Sequence, residues 1–281
     1  NPMLHGVMYA DLVTTVSPTY AAEIRTAEYG AGLDALLRDR GEHVTGILNG
    51  VDYQEWDPAH DRHLDAHTYS ATDLSGKWHL RQAFTRDLSL SIGPRTLIFG
   101  IVSRLVSQKG IDLLEAVLPD VLRHYDCAVL ALGSGDSAYE QFLARLMGDF
   151  SGRVHYTRGY SERLAHWIEA ASDAFLMPSR YEPCGLNQMY SLRYGTVPIV
   201  RRTGGLADSV TQYSPSEGTG DGLVFDEYTP GALRSAIDQA FLLFGTEHWV
   251  RMQQNGMARD YSWKTQGALY EEAYRRLVGP A

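Results

Sequence analysis

Residues 96–135 read TLIFGIVSRLVSQKGIDLLEAVLPDVLRHYDCAVLALGSG, and their pattern decides the fold. TLIFGIVSR is an apolar run that ends in polar residues. GIDLLEAVLPDVLRHY puts Leu114, Val117, Leu118, Val121 and Tyr125 on one helical face. CAVLALGSG is apolar again, as expected of a strand covered on both sides. Strand, helix and strand in this order form one unit of a parallel sheet.

The alternation continues from there. SAYEQFLARLMG predicts a helix with Tyr139, Phe142, Leu143 and Leu146 inward, and RVHYT a short strand. SERLAHWIEAA reads as a helix capped by Ser161. DAFLMP and TVPIV read as strands around the helix LNQMYSLRYG, which stops at Gly195. GLADSV opens a helix and GLVF is a last short strand. TPGALRSAIDQAFLLFG follows, with Thr229 as cap and Pro230 at the first helical position. YSWKTQGALYEEAYRRL closes the chain as an amphipathic helix. The whole predicts a doubly wound parallel sheet. Residues 1–95 differ: one strand (DLVTTVSP), a helix near TYAAEI, and a long polar stretch with turns. The turn signal NGVD at 49–52 places a boundary or hinge there.

Composition narrows the function. The chain has 281 residues, 44% hydrophobic and 21% charged, with 25 Lys and Arg against 34 Asp and Glu for a net charge of -9. No basic run invites nucleic acid or an anionic membrane, and no apolar stretch approaches a membrane span. No signal peptide is read. The two cysteines, Cys127 and Cys184, suit a reducing cytosol and provide no disulfide framework. Cys127 opens an apolar run and reads as packing. The opening lacks an initiating Met, so the chain reads as the middle of a longer one.

In open α/β sheets ligands bind beyond the carboxyl ends of the strands, so polar residues there are weighed first. Arg104 and Lys109 in SRLVSQKG suit a pyrophosphate, or else are two charges on a solvated loop. PSRYEPCGLNQ, 178–188, sets Glu182, Pro183, Cys184 and Gly185 before a helix start, where amides can hold an anion; the alternative is a capped helix with an exposed acid. RRTGGLADSV suits a phosphate or sugar crevice, or ordinary turn chemistry. LGSGDSA fits a dinucleotide fingerprint, but no acid closes a following strand where a ribose would lie, which favours a tight turn. His60, His63 and His67, interleaved with Asp57, Asp61 and Asp65, have metal-like spacing; Pro58 and the absence of apolar periodicity argue for a mobile surface loop. No G-x-S-x-G and no Walker A sequence occurs.

Three of these stretches in order, SRLVSQKG, PSRYEPCGLNQ and RYGTVPIVRRTGGLADSV, closely resemble bacterial glycogen synthase and plant starch synthase. ADLVTTVSPTYAAEI, GILNGVDYQEWDP, YSATDLSGK and the closing helix look like the same family. The resemblance implies an α/β, GT-B type retaining glucosyltransferase. Residues 1–50 would be the end of an N-terminal, acceptor-side domain and hinge, a remnant of that domain. Residues 51–261 would be the Rossmann-like nucleotide-sugar domain, and 262–281 a helix packing back toward the N-terminal domain. The implied reaction moves glucose from ADP-glucose to the non-reducing end of an α-1,4-glucan, in the cytoplasm or a plastid, with no metal or other cofactor and no nucleic-acid or membrane partner.

By the same resemblance Arg104 and Lys109 contact the diphosphate and Glu182 faces the glucose. Cys184, Gly185, Leu186 and Asn187 hold glucose and distal phosphate, and Tyr160 stacks on adenine. Asn49 lies near the sugar, and Thr203, Gly204 and Gly205 line the donor site. The family's N-terminal Lys-x-Gly-Gly-Leu loop does not precede Asn1; TGGL at 203–206 is the C-terminal turn. The chain by itself is therefore expected to transfer no glucose. Two other readings stand beside this one: a non-catalytic nucleotide-sugar or glucan-binding module, and a UDP-glucose-dependent transferase of similar fold.

Overall fold

The computed structural model describes residues 2–279. Asn1, Pro280 and Ala281, which belong to the first and last predicted segments, lie outside the described residues. The opening segment holds helix α1 (Pro2–Tyr9), strand β1 (Val13–Thr15), helices α2 (Pro18–Glu23) and α3 (Asp34–Asp39), and strand β2 (Val44–Gly46). A long helix α4 (Ser75–Asp87) precedes the main layer. Then come β3 (Leu97–Val102), α5 (Ile111–His124), β4 (Cys127–Gly133), α6 (Ser137–Asp149), β5 (Val154–Arg158), α7 (Glu162–Ala171), β6 (Ala174–Met177) and α8 (Asn187–Arg193). The series ends with β7 (Val197–Arg201), α9 (Gly204–Ser209), β8 (Leu223–Phe225), α10 (Pro230–Leu243), α11 (Glu247–Met257) and α12 (Trp263–Val278).

The main sheet has six parallel strands in the order β5-β4-β3-β6-β7-β8. Strand side chains alternate between faces, and both faces are covered. Leu97, Phe99 and Ile101 face one core with Leu114 and Val121 of α5 and Ile237 of α10. Ile98 faces the other with Leu80 of α4, Ile168 of α7 and Leu206 of α9. Burial on both sides explains why β3, β4 and β6 read as unbroken apolar runs. Ser161 and Thr229 cap α7 and α10 by accepting from Leu164 N and Ala232 N.

The first 95 residues hold more structure than the pattern predicts. β1 and β2 pair in parallel as a second, two-stranded sheet, and α4 was not predicted at all. Its buried positions Lys77, Leu80, Arg81 and Phe84 keep helical spacing, but two of these four are cations. Each cation is satisfied inside. Lys77 Nζ donates to Ala170 O (2.8 Å) and Thr196 Oγ1 (2.7 Å), and Arg81 binds Asp173 and Thr96 O. A periodicity argument that counts only apolar residues passes over such a face. α11 escaped notice for a similar reason, since Gln253 and Gly256 share its buried face with Trp249 and Met252.

Residues 55–67 do not form the mobile surface loop expected of them. Leu64 is fully buried, and Asp57 and Asp61 are buried as well. Asp57 binds Arg193, and Asp61 Oδ2 accepts from His166 Nδ1 (2.7 Å) and Tyr194 Oη (2.6 Å). Polar partners supply here the anchorage that apolar periodicity usually signals.

Two chain crossings lie side by side near residue 50. Val51 N donates to Tyr261 O at 2.7 Å, and Val51 bridges Ser262 in parallel. The opening segment docks on the main layer through α2 and α9, where Thr19 N and Oγ1 donate to the Asp208 carboxylate at 2.8 and 2.6 Å. α12 runs beside β2, with Leu269 and Arg276 facing Thr45 and Ile47 across a groove.

Candidate active site

Strand order reverses between β3 and β6, so the loops after these strands diverge and open a crevice. The β3–α5 loop carries Arg104 and Lys109, and the β6–α8 loop carries Ser179, Glu182, Cys184 and Gly185. Glycine lets the loops touch. Gly110 has φ +73°, and a Cβ there would sit 2.0 Å from Pro178 O. Gly204 has φ +43°, and a Cβ there would meet Glu182 O at 2.0 Å. Both the left-handed backbone and the close approach require glycine.

At the centre Lys109 Nζ contacts Glu182 Oε2 at 2.6 Å, and Ser179 Oγ donates to the same oxygen at 3.0 Å. Glu182 is 5% exposed; it is not the exposed acid of a capped helix. Its carbonyl accepts from Gly205 N at 2.9 Å. Gln188 shapes the following loop: its fully buried amide donates to Cys184 O, Gly185 O and Ser209 Oγ. Asn187 Nδ2 ties the start of α8 to Val102 O at 2.6 Å, so its side chain holds scaffold. Burial pushes the Cys184 thiol up, opposed by a main-chain hydrogen bond from Asn49, and that bond places Asn49 against the loop.

Two clefts meet here. One, of about 200 Å³, is lined by Arg104, Lys109, Ser179, Gly185, Leu186 and Asn187 among others. The second, of about 280 Å³, is lined by Arg104, Gly133, Ser134, Tyr160 and Asn187. Because Arg104 and Asn187 line both, the two form one elongated depression. Tyr160 stands at its far end, 74% exposed. The glycines of LGSGDSA serve as a tight turn, as the sequence favours: Cβ atoms at Gly133 and Gly135 would strike Ser103 O and Leu105 O.

The third predicted donor element is engaged elsewhere. Thr203 Oγ1 and Gly204 N donate to Glu23 Oε1 at 2.8 and 3.0 Å. Thr203, Gly204 and Gly205 do not line either cleft; they brace the Glu182 loop from behind and receive the opening segment. Glu182, Cys184 and Asn49 are likewise absent from the lining, although Lys109 and Ser179, the partners of Glu182, are present. The arginines before the turn point away as well, Arg201 to Arg180 O and Arg202 to Asp226.

Two residues escaped the sequence reading. Ser103 lines both clefts, and its buried Oγ has no hydrogen-bond partner among the described residues. Glu23 Oε2 is unpartnered in the same way. A hydroxyl beside Arg104 at a strand end was the available signal for the first. Nothing local marks Glu23, whose partners lie 180 and 181 residues away.

Comparison with known proteins agrees with this architecture. The model of the glycosyl transferases group 1 family matches residues 89–258, and that of the starch synthase catalytic domain matches residues 1–39. A glycogen synthase of Anaeromyxobacter dehalogenans (strain 2CP-1 / ATCC BAA-258) is 52% identical over 98% of this chain and 57% of its own length. One from Thioalkalivibrio sulfidiphilus (strain HL-EbGR7) is 48% identical over 97% and 57%. The chain thus spans about 57% of the length of these curated relatives. Among solved structures, the catalytic domain of starch synthase IV from Arabidopsis thaliana, bound to ADP and acarbose, superposes with a TM-score of 0.91 at 36% identity, covering 98% of this chain and 57% of that one. The fold is of the GT-B type, and its sheet is the Rossmann-like layer of that type. A family model that matches residues 89–258 takes in the whole sheet and both clefts: the chain belongs to the glycosyl transferases group 1 family.

Proposed function

We propose that this chain is the donor-binding part of an ADP-glucose-dependent glucosyltransferase that extends an α-1,4-glucan with retention of configuration. The observation that carries the reading is the convergence of Arg104, Lys109 and Glu182 where strand order reverses, with Tyr160 at the end of the same depression. The curated relatives are glycogen synthases, and the Arabidopsis starch synthase structure holds ADP with acarbose, a nucleotide beside a glucan-like ligand. Both support the assignment.

On this reading adenine stacks on Tyr160, the diphosphate lies over Arg104 and Lys109, and glucose lies at residues 184–187. As the bond from the anomeric carbon to phosphate breaks, negative charge grows on the departing ADP and positive charge on the sugar. Arg104 and Lys109 stabilise the first; fixed charges aimed at developing charge are the largest catalytic contribution in such sites. Glu182, oriented by Lys109 and Ser179, hydrogen-bonds the sugar and favours the second. The leaving phosphate takes the proton of the attacking hydroxyl on the same face. The two cations supply the charge at the diphosphate, so the transfer uses no metal there. The paired crossings at residues 51 and 262 form the hinge between the opening segment with α12 and the nucleotide domain. The setting is the cytoplasm, or the plastid in a plant. Among the described residues, no helix is long and apolar enough to cross a membrane.

Calorimetry with ADP, ADP-glucose and UDP-glucose on the full-length protein, followed by a radiolabelled transfer assay with a soluble glucan, tests the reading. ADP and ADP-glucose should bind, with Tyr160→Ala and Arg104→Ala weakening both. Preference for UDP-glucose would overturn the donor assignment, and binding that survives both substitutions would overturn the site.

A further inference from the structure

We propose that His63, Glu162 and His166 form a binding site for a divalent transition-metal ion of the zinc class, on the side of α7 away from the sheet and outside the transfer chemistry. One ligand atom from each of the three lies within 4.8 Å of the other two. His166 is the anchor. It is fully buried, its Nδ1 is 2.7 Å from Asp61 Oδ2, and its Nε2 has no hydrogen-bond partner among the described residues. Because a carboxylate can only accept, Nδ1 carries the proton, and Nε2 presents a lone pair. A buried imidazole with one nitrogen held by a carboxylate and the other open is the arrangement that orients metal-binding histidines.

The same aspartate positions the second histidine. Asp61 Oδ1 accepts from His63 N at 2.7 Å, and Trp167 Nε1 holds His63 O. One carboxylate therefore fixes the imidazole of His166 and the backbone of His63, whose rings lie 4.4 Å apart between centroids. Trp56 also stacks on the His166 ring, with centroids 3.7 Å apart. Glu162, in the first turn of α7, is exposed and supplies the oxygen.

Two imidazoles and a carboxylate suit zinc, cobalt or nickel, with water as a fourth ligand. Metal–ligand bonds of about 2.0–2.2 Å place tetrahedral ligand atoms about 3.4 Å apart. The half-buried His63 and exposed Glu162 side chains can close that difference by rotation, while His166 stays fixed. This is not the histidine series of the sequence pattern: His60 and His67 take no part. His166 lies about a hundred residues from His63 in sequence, with β3, β4 and β5 between them.

The test uses chelator-treated full-length protein titrated with Zn²⁺ by calorimetry and with Co²⁺ by visible absorption. One ion should bind per chain, Co²⁺ should show the intense bands of four coordination, and Zn²⁺ should raise the thermal midpoint. His63→Ala and Glu162→Gln should each weaken binding at least tenfold and abolish the Co²⁺ bands; His60→Ala and His67→Ala should change neither. His166→Ala and Asp61→Asn risk the fold, so the decision rests on the two surface-side variants. Absence of one-to-one binding, His63→Ala behaving as wild type, or loss of the ion with His60 or His67 instead would each overturn the proposal.

Discussion

The two edges of the six-stranded sheet use similar charged residues for different ends. At the amino ends of the strands, Arg81 binds Asp173 and Thr96 O, and Lys77 donates to main-chain oxygens and Thr196. Asp173 also accepts from Ile98 N at 2.8 Å. Arg81, Lys77 and Asp173 are buried and their charges answered from within. At the carboxyl ends Arg104 is exposed and hydrogen-bonds Gln108 at 3.2 Å, Ser103 Oγ has no partner among the described residues, and Lys109, which lines the cleft, pairs with Glu182. Satisfied charge at one edge is structure. Charge left with bonding capacity, facing a crevice, is what a candidate site offers. Residue type does not distinguish the two, but partner count does.

The largest expected effect lies at the closed edge. Arg81→Leu strands the Asp173 carboxylate in the core and should cost about 3–5 kcal/mol, the range for breaking one side of a buried ion pair. Urea unfolding would measure it, while ADP affinity of the folded variant stays near wild type. A loss below about 1 kcal/mol would mean that the two edges do not differ in kind.

At the open edge the effects should fall on chemistry. Glu182→Gln in the full-length protein should lower turnover by about a hundredfold or more, comparable to losing an oriented transition-state contact, with a much smaller change in ADP affinity. Near-normal turnover would make Glu182 a structural acid like Asp173.

Lys109→Ala should weaken ADP by about 1.5–3 kcal/mol, the value of a charge-assisted hydrogen bond. It also leaves Glu182 with Ser179 as its remaining side-chain partner, so stability should fall too. Adding Glu182→Gln removes the stranded charge. The double variant should regain stability and still bind ADP weakly. Recovery of both properties together would show that Lys109 serves only to neutralise Glu182.

The last effect is a dependence on pH at the closed edge. Burial pushes the Glu169 carboxyl up to about 8, with Ser191 and Lys77 opposing, and pushes the Lys77 ammonium down to about 7, with Asp173 and Glu169 opposing. Between its ordinary value of 4.5 and about 8, folded Glu169 keeps a proton that the unfolded chain has released, so its contribution to stability falls as pH rises. Between about 7 and 10.5 the unfolded chain keeps a proton on Lys77 that the fold has lost, so stability rises with pH. Together they place a minimum between about pH 7 and 8. Glu169→Gln should remove the acidic arm, seen as a urea midpoint that no longer declines from about pH 5 to 8 relative to wild type. Parallel curves for the two proteins would contradict the shift.

What the sequence determined by itself was whatever local periodicity and resemblance encode. β3, β4 and β6 were legible because burial on both faces makes a strand uniformly apolar, β5, β7 and β8 because they fall between helical patterns, and the caps Ser161 and Thr229 because capping is local chemistry. Two loops of the candidate site, those carrying Arg104 with Lys109 and Ser179 with Gly185, were legible as strand-end loops, since α/β sheets bind ligands there. Tertiary structure alone decided which charges are satisfied. α4 stayed hidden because Lys77 and Arg81 occupy its buried face, with partners such as Asp173 and Thr196 about a hundred residues away. Glu23 reaches Thr203 and Gly204 from the opening segment and docks that segment on the turn. His63 meets Glu162 and His166 across a similar span. Electrostatic partners carry no periodicity, so a linear pattern shows that a charge is present, and only the folded chain shows what answers it.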